Sequence, residues 1–420
     1  MSDDALRVLG AAYKDTSRIL EPEEMETDLT LIGLVGMIDP PRLEVKASIH
    51  DAKLAGITPI MITGDHKNTA VAIAKELEIA DSLEQSITGA GLDELTEEEL
   101  AGEIDKFRVF ARVSPEHKVK IVQAFQSQGN IVSMTGDGVN DAPSLKYADI
   151  GVAMGITGTD VAKGASDMIL TDDNFTTIVH AIEEGRNIYN NIRKSVIFLL
   201  SCNLGEVITI FMSILLNWPV PLIATQLLWI NLITDSLPAI SLGVDPGDHD
   251  VMLHKPRNPK ESFFAEGAGF RAILGGILIG CFTLFAFYWG LNEQGYTLKN
   301  INSTAADPAY RAALTYARTM AFVVLAASQL FYSLSMRSTT KSLLQLGVFT
   351  NRYLTGAIFI GILLQYVVIS VPFLADAFSV HQLSVQDWVR VIIFALVPLI
   401  ANEIIKTFMR SAEKPRRKKY

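Results

Sequence analysis

Cysteine is nearly absent. The 420-residue chain has two, Cys202 and Cys281. Both fall in apolar runs, so they frame no disulfide network and show no metal-ligand spacing. Positive charge is not in excess either: 36 Lys and Arg face 46 Asp and Glu, a formal net charge of −10. That balance argues against a nucleic-acid partner, as does the lack of any basic patch with interleaved aromatics. No signal peptide is expected, because residues 1–20 are polar and charged.

Long apolar runs are missing from the first half and crowd the second. Residues up to about 190 are acid-rich and punctuated by Gly and Pro, whereas six apolar runs follow, at 195–216, 222–243, 270–290, 314–334, 354–374 and 388–407. Each is near the ~20 residues that cross a bilayer as a helix. The chain therefore divides into a soluble domain over 1–190 and a membrane domain over 191–420. Basic residues such as Arg193, Lys194, Lys255, Arg257, Arg337 and Lys341 cluster at alternate loops, and the tail at 414–419 is basic. The positive-inside rule then expects the soluble half and the C-terminus in the cytosol.

In the soluble half, short apolar strands are expected at 33–39, 57–63, 109–113, 130–137 and 150–154. Helical stretches at 46–55, 68–77, 116–126 and 142–147 alternate with them. Such alternation predicts an α/β domain with a parallel, doubly wound sheet. Three strands end in polar groups: Asp39, Thr63-Gly64-Asp65 and Thr135-Gly136-Asp137. Open α/β sheets hold ligands at that edge. Asp137 and Asp141, four residues apart around Gly138 and Asn140, suit Mg²⁺, which takes carboxylates together with substrate phosphates. The plainer reading is a solvated Asp/Gly turn. Thr63 and the Gly64 amide could bind phosphoryl oxygens, Lys118 could neutralise charge on them, and Asn140 could orient the phosphate. A solvent-facing lysine at the start of a helix is the plainer reading of Lys118.

In the membrane half, polar groups inside spans are costly and so are candidates for function. Asn203 and Glu206 lie three apart on one helical face, Asn231 and Asp235 four apart on another, with Thr234 beside them. Five oxygen-bearing side chains on two adjacent helices suit a hard cation of the Ca²⁺ type. Interhelical hydrogen bonding is the alternative for the amides and the threonine. Pro238 is expected to disturb the second of these helices just beyond.

The string MTGDGVNDAPSLKYADIGVAMG at 134–155 resembles the hinge motif of P-type cation-transporting ATPases. Upstream, MITGDH at 61–66, ARVSPEHK at 111–118 and GMIDPPR at 36–42 are similar to that family's ordered phosphorylation-domain motifs. The resemblance is closest to the calcium pumps. It implies an incomplete haloacid-dehalogenase-like phosphorylation domain, followed by a six-helix transmembrane bundle equivalent to family helices five to ten. It implies catalytic roles for Thr63, Gly64, Asp65, Lys118 and Asn140, and Mg²⁺ at Asp137 and Asp141. It also implies Ca²⁺ ligands at Asn203, Glu206, Asn231, Thr234 and Asp235, with Gln329 where related pumps carry Glu or Gln. The implied activity is ATP-driven Ca²⁺ transport across a lipid bilayer, in a multi-pass protein of a bacterial plasma membrane. The family's phosphoryl-acceptor motif Asp-Lys-Thr-Gly-Thr does not occur in the sequence. ATP is accordingly expected to bind only with an N-terminal half, and a separate N-terminal pump half is one candidate partner. The alternatives are a non-catalytic truncated or split pump half, and a pump for Mn²⁺ or for Na⁺/K⁺.

Overall fold

The computed structural model describes residues 6–37, 41–248, 250–265, 267–297, 307–338 and 341–417. They form two compact units. One runs to Glu184 and takes in the segment ending at Arg257. The other is Gly185–Asp248 with the residues from Asn258 onward.

The first unit is α/β. Strands β1 (Arg7–Tyr13) and β2 (Thr30–Met37) pair antiparallel, with a bulge between Ala11 and Ala12. Strands β3 (Met61–Thr63), β4 (Ser86–Thr88) and β5 (Val109–Ala111) form a parallel sheet in the order β3-β5-β4. Strands β6 (Ser133–Gly136), β7 (Ile150–Met154) and β8 (Met168–Leu170) form a second parallel sheet in sequence order. Parallel neighbours need long crossovers. The crossovers here carry helices, among them α2 (Lys67–Glu76), α4 (Ala142–Tyr147) and α5 (Asp160–Ala165), while α1 (Leu43–Leu54) leads into β3 and α3 (Pro115–Ser127) links β5 to β6. The middle strand β5 is fully buried at all three residues, as a strand covered on both faces should be.

Two expectations change here. The strand expected at 33–39 as part of the parallel sheet is instead the second strand of an antiparallel ribbon. Its Leu31, Ile32, Leu34 and Val35 are exposed. Consecutive strands tend to pair with each other, and an antiparallel pair needs no helical crossover. Asp39 lies outside the described residues. Second, the described strands form three sheets rather than one doubly wound sheet. β3 and β6 are joined by side chains, not by a ladder: Ile62 packs with Val122, Met134 and Leu145 in one apolar cluster.

The second unit is helical. Among the described residues five helices are long and apolar enough to cross a membrane: α6 (Phe175–Leu215), α9 (Ala268–Glu293), α10 (Pro308–Met336), α11 (Arg352–Ser370) and α12 (Val385–Arg417, apolar to Phe408). Helix α10 is the centre of the bundle. Met320 to Ala326 are all fully buried there, against residues of α6, α9, α11 and α12. The outer helices turn Phe211, Ile214, Phe359, Leu363, Ile393 and Ile404 outward, as helices facing lipid tails do.

Of the six expected spans, the second is not one helix. Helix α7 (Ala224–Trp229) gives way to a π-helical segment, Ile230–Thr234, and α8 (Ser236–Gly243) follows Asp235. The Asp235 amide reaches back five residues to the Ile230 carbonyl, 3.0 Å away. Pro238 does not break the chain beyond it, contrary to expectation. It is the third residue of α8, where the missing N–H is tolerated, and the irregularity lies before it. Such π segments are frequent at functional sites.

Candidate functional site

In the α/β unit, the Thr63 hydroxyl donates to Asp65 Oδ2 at 2.8 Å and accepts from the Asp65 amide at 3.1 Å, closing a tight turn after β3. Gly64 and Asp65 are exposed at that turn. The Val113 and Arg112 amides reach the Thr63 and Asp65 carbonyls, so the chain leaving β5 is fixed against it. Ser114 then caps α3. Its hydroxyl accepts the His117 amide at 3.3 Å, His117 Nδ1 accepts the Ser114 amide at 3.0 Å, and Pro115 sits at the first helical position. This cap sets Lys118 on the first turn, pointing at the loop after β6.

Lys118 Nζ lies 2.5 Å from Asp141 Oδ1, and the pair is mostly buried. Asp141 Oδ2 accepts the amides of Asp137 and Gly138 at 3.2 and 3.1 Å. Burial pushes the Asp141 carboxyl up, but the Lys118 ammonium and these two amides outweigh it. The carboxyl is held below the usual carboxylate range. A Cβ on Gly136 would lie 2.7 Å from Asp141 Cγ, so only glycine lets the carboxylate fold back under the loop. Asp137 and Asn140 stand exposed on the same loop. Asp137, Asp141, Lys118 and Asn140 therefore share one place. Among the described residues no hydrogen bond joins them to Thr63, Gly64 or Asp65. One exposed and one ion-paired carboxylate fit Mg²⁺, which needs only one or two protein carboxylates.

In the helical unit, Glu206 of α6 is 7% exposed and is held from two sides. Asn231 Nδ2 of the π segment donates to Oε2 at 2.8 Å, and Gln329 Nε2 of α10 donates to Oε1 at 3.3 Å. Asp235 is 1% exposed, and neither of its carboxylate oxygens has a hydrogen-bond partner. Gln329 Oε1 and the neighbouring Ser328 hydroxyl are likewise buried and unpartnered. Asn203 and Thr234 differ from these. Asn203 Nδ2 donates to the Leu199 carbonyl and the Thr234 hydroxyl to the Ile230 carbonyl, each within its own helix, which leaves their oxygens able to accept or ligate.

Ser328 and Cys202 are additions to the residues expected from sequence. The Cys202 thiol is fully buried and adjoins Asp235. Its spacing four before Glu206 and Ser328's place beside Gln329 were the available signals. Among the described residues no three His, Cys, Asp or Glu side chains converge as a metal cluster. A cation here would therefore be held by two carboxylates with amide and hydroxyl oxygens. That donor set is hard, and the orphaned Asp235 oxygens fit such an ion.

Residues 219–408 match the family model described as cation transporting ATPase, C-terminus, and residues 5–149 match that of the haloacid dehalogenase-like hydrolases. The chain is 57% identical over 408 residues to calcium-transporting ATPase 1 of Bacillus cereus, covering 97% of this chain and 46% of that protein. It is 46% identical over 409 residues to the calcium-transporting ATPase of Bacillus subtilis, covering 96% and 44%. It is 43% identical over 386 residues to the human calcium-transporting ATPase type 2C member 1, covering 92% and 40%. The chain belongs to the P-type cation-transporting ATPases. It spans a little under half the length of the curated relatives it matches and corresponds to the pump's C-terminal part. The chain is thus a multi-pass membrane protein with a haloacid-dehalogenase-like domain.

Proposed function

We propose that this chain forms the C-terminal part of an ATP-driven Ca²⁺ pump, with residues 1–190 acting as its phosphorylation domain and 191–420 as part of its cation path. The observation that carries this reading is the Asp235 carboxylate, buried with both oxygens unpartnered beside Glu206. A buried unpaired carboxylate is costly, and a divalent cation offsets that cost. Glu206 and Asp235 hold the ion, and the oxygens of Asn203, Asn231, Thr234 and Gln329 complete its shell. The interrupted stretch 224–243 is the sixth crossing, its π turn placing Asn231 and Asp235 at mid-membrane. Both ends of the chain face the cytosol of a bacterial plasma membrane.

In the α/β unit, Asp137 and Asp141 hold Mg²⁺, which when bound screens the phosphoryl oxygens. Thr63 and the Gly64 amide bind those oxygens, Asp65 fixes the Thr63 hydroxyl, Lys118 balances developing charge and Asn140 orients the group delivered by ATP. The test is phosphorylation of the intact pump from labelled ATP. Asp235→Asn eliminates the Ca²⁺-dependent signal, and Gln329→Ala only raises the Ca²⁺ requirement, since it removes an oxygen without charge. The opposite ranking would refute the ligand assignment. Stronger phosphorylation with Mn²⁺ or Na⁺ than with Ca²⁺ would refute the cargo.

A further inference from the structure

The helical unit holds a second buried charge cluster, away from Glu206 and Asp235. Asp245 follows α8 by two residues, and its side chain is 4% exposed. Arg337, at the end of α10, reaches Asp245 Oδ1 through Nε at 2.9 Å. Lys194 of α6 reaches Oδ2 at 3.3 Å, and Asn351, the N-cap of α11, donates to Oδ1 at 2.8 Å. The Asp245 carbonyl accepts Asn191 Nδ2 of α6 at 2.7 Å. One carboxylate thus ties the ends of α8, α10 and α11 to the middle of α6. The tie continues to Asp248, which pairs with Lys341 at 2.8 Å and whose backbone amide donates to Asn187 Oδ1 of α6 at 3.1 Å. Gly247 between them packs so tightly on Asn187 that a Cβ there would lie 2.7 Å from its Cγ.

This cluster sits at a mechanically informative place. Upstream of α8 the helix is π-distorted, and Pro238 cannot donate back to Thr234, so the backbone ladder fixes the axial position of Asp235 weakly. Downstream, Asp245 is ten residues from Asp235. On α6, Lys194 is twelve residues from Glu206, roughly 18 Å at the α-helical rise. The Lys194–Asp245 pair therefore joins the two helices that carry the two buried carboxylates.

Resting on the Ca²⁺-pump reading above, we propose that Asp245 is a positioning residue of the cation site. Paired with Lys194 and Arg337, it sets the register of α8 against α6 and so brings Asp235 to the height of Glu206. It touches no ion itself. The cluster acts on Ca²⁺ affinity and leaves the phosphoryl chemistry alone.

The experiment measures phosphorylation of the intact pump against Ca²⁺ and against ATP. Asp245→Asn raises the half-saturating Ca²⁺ concentration about tenfold, within the range known for coupling residues that contact no ligand. The phosphoenzyme level at saturating Ca²⁺ and the KM for ATP stay at wild-type values. Lys194→Met gives a smaller shift in the same direction, because Arg337 still neutralises Asp245, and Lys194→Arg restores wild-type affinity. If Asp245→Asn fails to accumulate in membranes, the Lys194→Met and Lys194→Arg pair decides alone. Wild-type Ca²⁺ affinity in Lys194→Met overturns the proposal. So does a loss of Ca²⁺ affinity matched by equal losses in phosphoenzyme level and KM for ATP. A wild-type protein whose phosphorylation ignores Ca²⁺ would instead refute the transport reading.

Discussion

Replacing Asp235 by Asn should make the Ca²⁺-free protein no less stable, and at the same time abolish its stabilisation by Ca²⁺. Without an ion the wild-type carboxylate is 1% exposed and has no hydrogen-bond donor on either oxygen. An unsatisfied buried group of this kind costs about 1–3 kcal/mol, and more when charged. Asparagine keeps the shape and removes the charge. The Ca²⁺-free variant should therefore unfold at the wild-type temperature or above it. With Ca²⁺ at about a hundred times its dissociation constant, the wild type gains about 2.7 kcal/mol by linkage. The variant gains almost none of this, because one of the two carboxylates that balance the ion is gone. The order of the two proteins thus reverses, or closes to equality, between chelator and saturating Ca²⁺. Thermal unfolding of the detergent-solubilised pump, followed by tryptophan fluorescence, reads both arms. A variant that is destabilised without Ca²⁺ and keeps the full Ca²⁺ increment would refute the argument, because Asp235 would then be a structural group rather than a ligand.

Two further outcomes follow from the α/β unit. Gly136→Ala places a methyl group against Asp141 and should cost about 1–3 kcal/mol as overpacking. It should also separate Asp141 from Lys118, so phosphoenzyme formation falls further than folding does. Normal phosphorylation in a folded Gly136→Ala pump would show that the close approach is dispensable. Asp173 caps the loop after β7: the Ile156 amide most of all, then the Thr157 amide and hydroxyl and the Gly155 amide, hold its carboxyl at about 2 against a smaller opposing effect of burial. A carboxyl depressed on folding stabilises fully above its unfolded value near 4, and that contribution is lost as pH falls toward 2. Limited proteolysis of this loop between pH 5 and 3 should show it loosening in the wild type, and loosened throughout in Asp173→Ala. Equal protection of both proteins at pH 5 would remove the cap from the account.

Much of the local geometry was legible in the sequence because it depends on short spacings. Asp137 and Asp141 share one loop, so four residues suffice to bring them together, and Ser114-Pro115 announces the helix that carries Lys118. Five of the six apolar runs marked single long helices, because the length needed to cross a bilayer is set by the bilayer itself. Asn231 and Asp235 were recognisable as costly groups in such a run. What spacing could not convey was every relation between distant segments. Glu206 meets Gln329 across 123 residues, a bond decided by how α6 packs on α10. The strand at 30–37 took an antiparallel partner because its neighbour in sequence was available, while its apolar pattern allowed either sheet. The π turn at 230–234 has no local composition that forces it. Sequence determined which residues would be buried with charge, since an Asp or Glu inside an apolar run has nowhere else to go. Tertiary structure alone decided that Asp235 stays unpaired, and that Asp245, which lies outside every apolar run, is buried and neutralised between Lys194 and Arg337. The physical reason is that neutralisation depends on the relative register of several packed helices, which no single helix encodes.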